Sequence, residues 1–166
     1  MGDPMENTPP VIRPASKGEC LAVVGDVYRL LATGAETGGA YMLLEARVFP
    51  GGGPPPHLHR RESEAFYLLE GEVQFTVDGE VTTATAGTFI HVPIGVLHSF
   101  RNVSDRPARM VIQTVPAGIE VFFREIGEAV DDPAVVPGPP SEDQIRRLLE
   151  AAPRYGIEIA PPGGTV

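Results

Sequence analysis

The chain has 166 residues, 42% of them hydrophobic, enough apolar material for one cored domain with additional chain at its ends. Its 19 glycines and 18 prolines together exceed a fifth of the residues, a composition that disfavours long helices and favours short strands joined by many turns. A formal charge of −9 argues against nucleic acid or an anionic membrane surface as a partner, and the single cysteine, Cys20, excludes an internal disulfide.

Residues 1–20 are rich in proline and polar types and read as an irregular N-terminal arm. They hold no apolar run of signal-peptide length, Glu6 stands where a myristoylation signal needs Ser or Thr, and no later run reaches membrane-spanning length. A cytoplasmic protein is the expectation. Strand-like segments begin at about Asp26. "DVYRLLAT" and "AYMLLEARVF" flank a glycine-rich hairpin connection, and the second sets Met42, Leu44, Ala46 and Val48 on one face. "AFYLLEG" and "EVQFTVDGEVTTA" follow; Asp78-Gly79 marks a two-residue hairpin, because both turn positions favour positive φ. "GTFIHVP", "HSFRNV" and "ARMVIQTV" complete about eight strands with no helix between them, which points to an all-β sandwich or barrel over residues 21–116.

Residues 117–166 read differently. Ile119, Phe122, Phe123 and Ile126 recur at i, i+3, i+4 and i+7, one face of a short helix. After the linker "DDPAVVPGPP", Ser141 and Gln144 have capping-box spacing, and Ile145, Leu148, Leu149 and Ala152 form an apolar face that Pro153 ends. This C-terminal extension is expected to be helical and to pack on the outside or mouth of the barrel.

Chemistry is concentrated in "GGGPPPHLHRRESEAFYLLEGE", Gly51 to Glu72. On a strand, His57 and His59 point to the same side, so two imidazoles aimed inward form half of a divalent-metal site. Glu64 leads the next strand and could add a hard oxygen, with Glu62 as the rival carboxylate. His98 is the candidate fourth ligand from a neighbouring strand. His91 falls outside this pattern, and Asn102 reads as a hydrogen-bonding turn residue.

These residues resemble the two motifs of the cupin superfamily. Gly51, five residues, His57-Leu58-His59, four residues, Glu64, six residues and Gly71 form the first; Gly87, five residues, Pro93, one residue, Gly95, two residues, His98, three residues and Asn102 form the second, 15 residues further on. The resemblance implies a jelly-roll barrel, also called a double-stranded β-helix, and a metal bound by His57, His59, Glu64 and His98. Four ligands would saturate a tetrahedral Zn²⁺, whereas an octahedral Fe, Mn, Co or Ni ion would keep two positions open.

Within the superfamily the chain is similar to the quercetin 2,3-dioxygenase-like single-domain group. That similarity implies a metal-dependent oxygenase adding O₂ to an aromatic enol or phenol, with Glu64 as catalytic base. Phe49, Phe66, Phe75, Met110, Phe122 and Phe123 are the expected pool for the substrate pocket. A non-redox cyclase or isomerase using the metal as Lewis acid, and a binding module without turnover, are the alternatives. Exposed barrel edges make a homodimer the expected assembly.

Overall fold

In the computed structural model, which describes residues 8–15 and 17–161, the alternation around Met42 becomes a strand with Met42, Leu44, Ala46 and Val48 fully buried. In chain order the elements are β1 (Cys20–Val23), β2 (Asp26–Ala32), β3 (Met42–Val48), β4 (His57–His59), β5 (Ser63–Glu70) and β6 (Glu72–Val77). They continue with β7 (Glu80–Thr85), β8 (Phe89–Val92), β9 (His98–Arg101), β10 (Ala108–Val115), α1 (Glu120–Ile126), β11 (Glu128–Ala129), α2 (Glu142–Ala151) and β12 (Ile157–Ile159).

The strands form two antiparallel sheets, ordered β11-β1-β2-β3-β10-β5-β8 and β12-β4-β9-β6-β7. Their inner faces enclose one core, as expected for a jelly roll. Glu64, Phe66 and Leu68 on β5 and Ala108, Met110, Ile112 and Thr114 on β10 are buried at every second position. The hairpin between β6 and β7 turns on Asp78 (φ 50°) and Gly79 (φ 82°), the paired positive φ values of a type I′ turn.

The arm before β1 is irregular, yet Arg13 ties it down: its Nε donates to the Leu31 carbonyl at 2.8 Å and its guanidinium pairs with Glu36. The expectations that rest on residues 1–7, including Glu6, lie outside the described residues. Regular pairing starts at Cys20 rather than at Asp26. Among the described residues, no helix is long and apolar enough to cross a membrane.

Helix α1 buries Phe122 and Ile126, and the Ile119 that caps its start is buried with them. Glu120 locks it to the β2–β3 hairpin, its two carboxylate oxygens accepting from Gly34 N–H at 2.6 Å and Gly118 N–H at 2.8 Å. Helix α2 has the expected capping box, with Ser141 Oγ accepting from Gln144 N–H at 3.2 Å. Its apolar face is narrower than read: Ile145 and Leu149 are 41% and 51% exposed, and contact runs through Leu148, Ala151 and Ala152. The helix grazes the barrel along one i, i+3, i+4 line, so side chains a step around the cylinder meet solvent.

The extension also contributes strands, where a helical segment was expected. Residues 157–159 add β12 to the smaller sheet, pairing Ile157 with His59 and Ile159 with His57. The edge of β4 would otherwise leave its N–H and C=O groups unpaired. Flanking bonds extend the pairing, from Arg60 N–H to Gly156 O and from Ala160 N–H to Pro56 O, both 2.8 Å.

Candidate metal centre

Period-2 alternation on β4 turns His57 and His59 into the barrel. β9 pairs His57 with His98 in register, which places a third imidazole beside them. The carboxylate comes from the opposite sheet, where Glu64 stands near the start of β5, paired with Thr114 and Val92. One donor atom from each of His57, His59, Glu64 and His98 lies within 4.8 Å of every other. Donors about 2.1 Å from a shared ion lie roughly 3–4 Å apart, so the four residues fit a single transition-metal ion with only slight contraction.

The ring orientations suit that role. Nδ1 of His57 lies 2.9 Å from Pro55 O and Nδ1 of His98 lies 3.0 Å from Val96 O. With an ion bound, each Nδ1–H would donate to a carbonyl two residues earlier and leave its Nε2 lone pair for the centre. Glu64 Oε2 sits 2.7 Å from His98 Nε2 and 3.2 Å from His59 Nε2. Glu62, the rival carboxylate, lies behind His59 with Oε2 3.5 Å from Nδ1, outside the cluster.

Burial and mutual repulsion govern the electrostatics. Burial, then repulsion from His98 and His59, lowers His57 to about 3. Burial alone would raise Glu64, but attraction to His59, the His98 hydrogen bond and the charge of His98 bring it to about 2. For His59, burial pulls downward, yet Glu64 and Glu62 carry it above its ordinary value. A metal-free cluster at neutral pH therefore contains an ionised Glu64 and a neutral His57, the protonation states that ligands require.

The cluster opens on an apolar cavity. Phe66, Phe122 and Phe123 of the expected pocket residues line it. Phe49, Phe75 and Met110 do not line it. Phe75 lies behind the wall, its ring 5.2 Å from Phe66 and 5.5 Å from Phe100. Met110 pairs with Ala46 and Leu68 at the end of the barrel away from Glu64. Phe49 lies under the Arg47 guanidinium, 5.4 Å from its ring centroid.

Tyr28, Asp26, Phe100 and Ile157 also line the cavity and were not singled out in the sequence. Phe100 could have been found at i+2 from His98, on the same strand face; Ile157 could not, because its place depends on pairing with β4. His91 is exposed on β8. Asn102 is fully buried and bonds Val48 O, Arg106 O and Ser104, holding a turn as expected.

A barrel of two antiparallel sheets with three imidazoles and a carboxylate converging inside it defines the class. Residues 44–114 match the cupin-domain family. The chain is 26% identical over 153 residues to a quercetin 2,3-dioxygenase of Bacillus subtilis, spanning 92% of this chain and 45% of that one. It is 31% identical over 140 residues to a quercetin 2,3-dioxygenase of Aspergillus japonicus, spanning 80% and 40%. The matched region thus spans less than half the length of either relative. An RmlC-like cupin of known structure from Shewanella frigidimarina superposes with a TM-score of 0.57 at 23% identity, covering 64% of this chain and 91% of that one. That likeness is one of fold.

Proposed function

We propose that the protein is a metal-dependent dioxygenase that adds O₂ to an aromatic enol or phenol of flavonol-like or polyketide-like type. The observation that carries this reading is the opening of a three-imidazole, one-carboxylate cluster onto a cavity walled by aromatic rings. Similarity to two quercetin 2,3-dioxygenases over most of this chain supports it.

His57, His59, Glu64 and His98 would hold the ion. A bound divalent Fe, Mn, Ni or Co ion would supply open coordination positions and one-electron chemistry, which a saturated tetrahedral Zn²⁺ would not. Phe66, Phe100, Phe122 and Phe123 would seat a flat ring and exclude water, which strengthens charge interactions at the buried end. Glu64 would accept the proton of the substrate hydroxyl at Oε2, keeping the resulting oxyanion beside the cluster. Tyr28 stays neutral, since burial and the nearby Asp26 and Glu64 charges raise its hydroxyl above the ordinary value; it can donate to a substrate oxygen from the cavity wall.

Metal analysis of the purified protein, coupled to an oxygen electrode with quercetin as substrate, tests the proposal. The expected result is a stoichiometric transition metal and O₂ uptake that falls by about 10²-fold or more in Glu64→Gln. Turnover without O₂ uptake would replace the oxygenase with a non-redox cyclase or isomerase. Unchanged ligand recovered from the protein would leave a binding module.

A further inference from the structure

Two of the three clustered histidines are oriented by backbone carbonyls, and the third is not. Among the described residues, His59 Nδ1 is buried without a hydrogen-bond partner, and so is Glu62 Oε2; the two atoms face each other at 3.5 Å. Both side chains are almost completely enclosed, with 5% and 6% of their surface exposed. Isolated buried donors and acceptors are costly, so two that face one another imply a shared purpose.

The local chain explains how Glu62 arrives there. β4 ends at His59 and β5 begins at Ser63, leaving Arg60, Arg61 and Glu62 to make the turn. Arg60 and Arg61 are exposed, and Arg60 grips Glu158 through two bonds of 2.6 and 2.9 Å. Glu62 folds back beneath His59 at i+3. A buried acid between two outward arginines and a strand is not what solvation alone would select.

We propose that Glu62 is a positioning residue for the metal centre. Its carboxylate is placed to accept the His59 Nδ1–H when the ion is bound, which would fix the tautomer that presents Nε2 to the ion and make His59 the one carboxylate-backed imidazole of the three. The charges agree with this role. A buried dication beside Glu64 alone carries a net positive charge, and a second carboxylate one imidazole away brings the assembly to neutrality. The inference rests on reading His57, His59, Glu64 and His98 as a metal site.

The test uses Co²⁺ alone as the probe. Metal-free wild type, Glu62→Gln and Glu62→Ala are titrated with Co²⁺ against a chromophoric chelator, the visible spectrum of bound Co²⁺ is recorded, and thermal unfolding is followed with and without the ion. The expected result is a Co²⁺ dissociation constant raised by about 10–100-fold in Glu62→Ala, an intermediate rise in Glu62→Gln, and an altered spectrum. Unfolding of the metal-free variants should match the wild type, with the deficit seen only in the loaded forms.

Wild-type affinity and spectrum in a folded Glu62→Ala would overturn the role. So would a loss of stability equal in metal-free and loaded protein, which would make Glu62 a turn residue only. If Glu62→Ala does not fold, the isosteric Glu62→Gln decides by the same two readings. A wild type that binds no Co²⁺ would remove the metal-site reading itself, and the role of Glu62 with it.

Discussion

Asp26 shows how one side chain can dictate the composition of a loop. It opens β2, is 2% exposed, and accepts from Phe49 N–H at 2.9 Å and Gly53 N–H at 2.8 Å, one bond to each oxygen. A Cβ on Gly52 would lie 2.2 Å from Asp26 Oδ1, and one on Gly53 would lie 2.0 Å from Phe100 O. Gly52 and Gly53 therefore answer to close packing, and Gly53 also needs its φ of +120°. Asp26→Ala would leave two backbone donors without acceptors. It should lower the stability of the metal-free protein by about 2 kcal/mol or more, read from urea unfolding, with Asp26→Asn losing less because one acceptor remains. An unchanged midpoint in Asp26→Ala would mean that the loop is held by other contacts. None of this was legible in the sequence, where Asp26 looks like an ordinary strand-end acid.

At the scale of elements, the informative pair is β4 and β12. β4 is only three residues long and carries two of the four clustered donors, so it depends on its neighbours for rigidity. β9 holds it on one side and β12 on the other. Ile157 and Ile159 also close the cavity. Removing residues 157–166 should leave the barrel folded, since its core lies mainly in β2, β3, β5, β6 and β10. It should also weaken metal binding by on the order of tenfold, the size expected when a ligand's support is lost. Metal retained on dialysis and amide-exchange protection at residues 57–59 are the measurements; wild-type values for both would show β4 to be rigid by itself. The Asp78-Gly79 turn and the Ser141–Gln144 capping box were readable because their causes are local. The exposure of Ile145 and Leu149 was not, because it depends on how far α2 leans into the barrel.

The whole molecule's response to pH follows from the groups that change affinity for protons on folding. His57 falls from 6.5 to about 3 and Glu64 from 4.5 to about 2. In those intervals the unfolded chain takes up protons that the fold refuses, so stability falls as pH drops. Asp26 rises from 3.8 to about 7, mainly through burial, and His59 is raised above 6.5. These two contribute stability that is lost as pH rises through their folded values. Between about pH 4.5 and 6.5 the slopes of His57 and Asp26 oppose and nearly cancel. The metal-free protein should thus be most stable in that window and lose stability on both sides of it. Loading with a divalent metal should move the maximum upward, because the ion competes with protons for the imidazoles. Denaturant midpoints measured across pH, with and without metal, check this; a metal-free maximum above pH 7.5 would contradict it.

The sequence by itself determined the strand alternation, the hairpin turns, the helix cap and the spacing of the three clustered histidines. Each of these is written in short-range periods, turn residues or motif spacings that hold whatever the rest of the chain does. The tertiary structure alone decided that Phe49, Phe75 and Met110 pack away from the cavity while Tyr28, Phe100 and Ile157 line it. It alone set Glu62 behind His59 rather than beside the other donors, and brought the chain's last strand against β4. Those outcomes depend on how deep a residue sits in the barrel and on which strands meet across it. Both are properties of pairings between residues tens of positions apart, which no local pattern encodes.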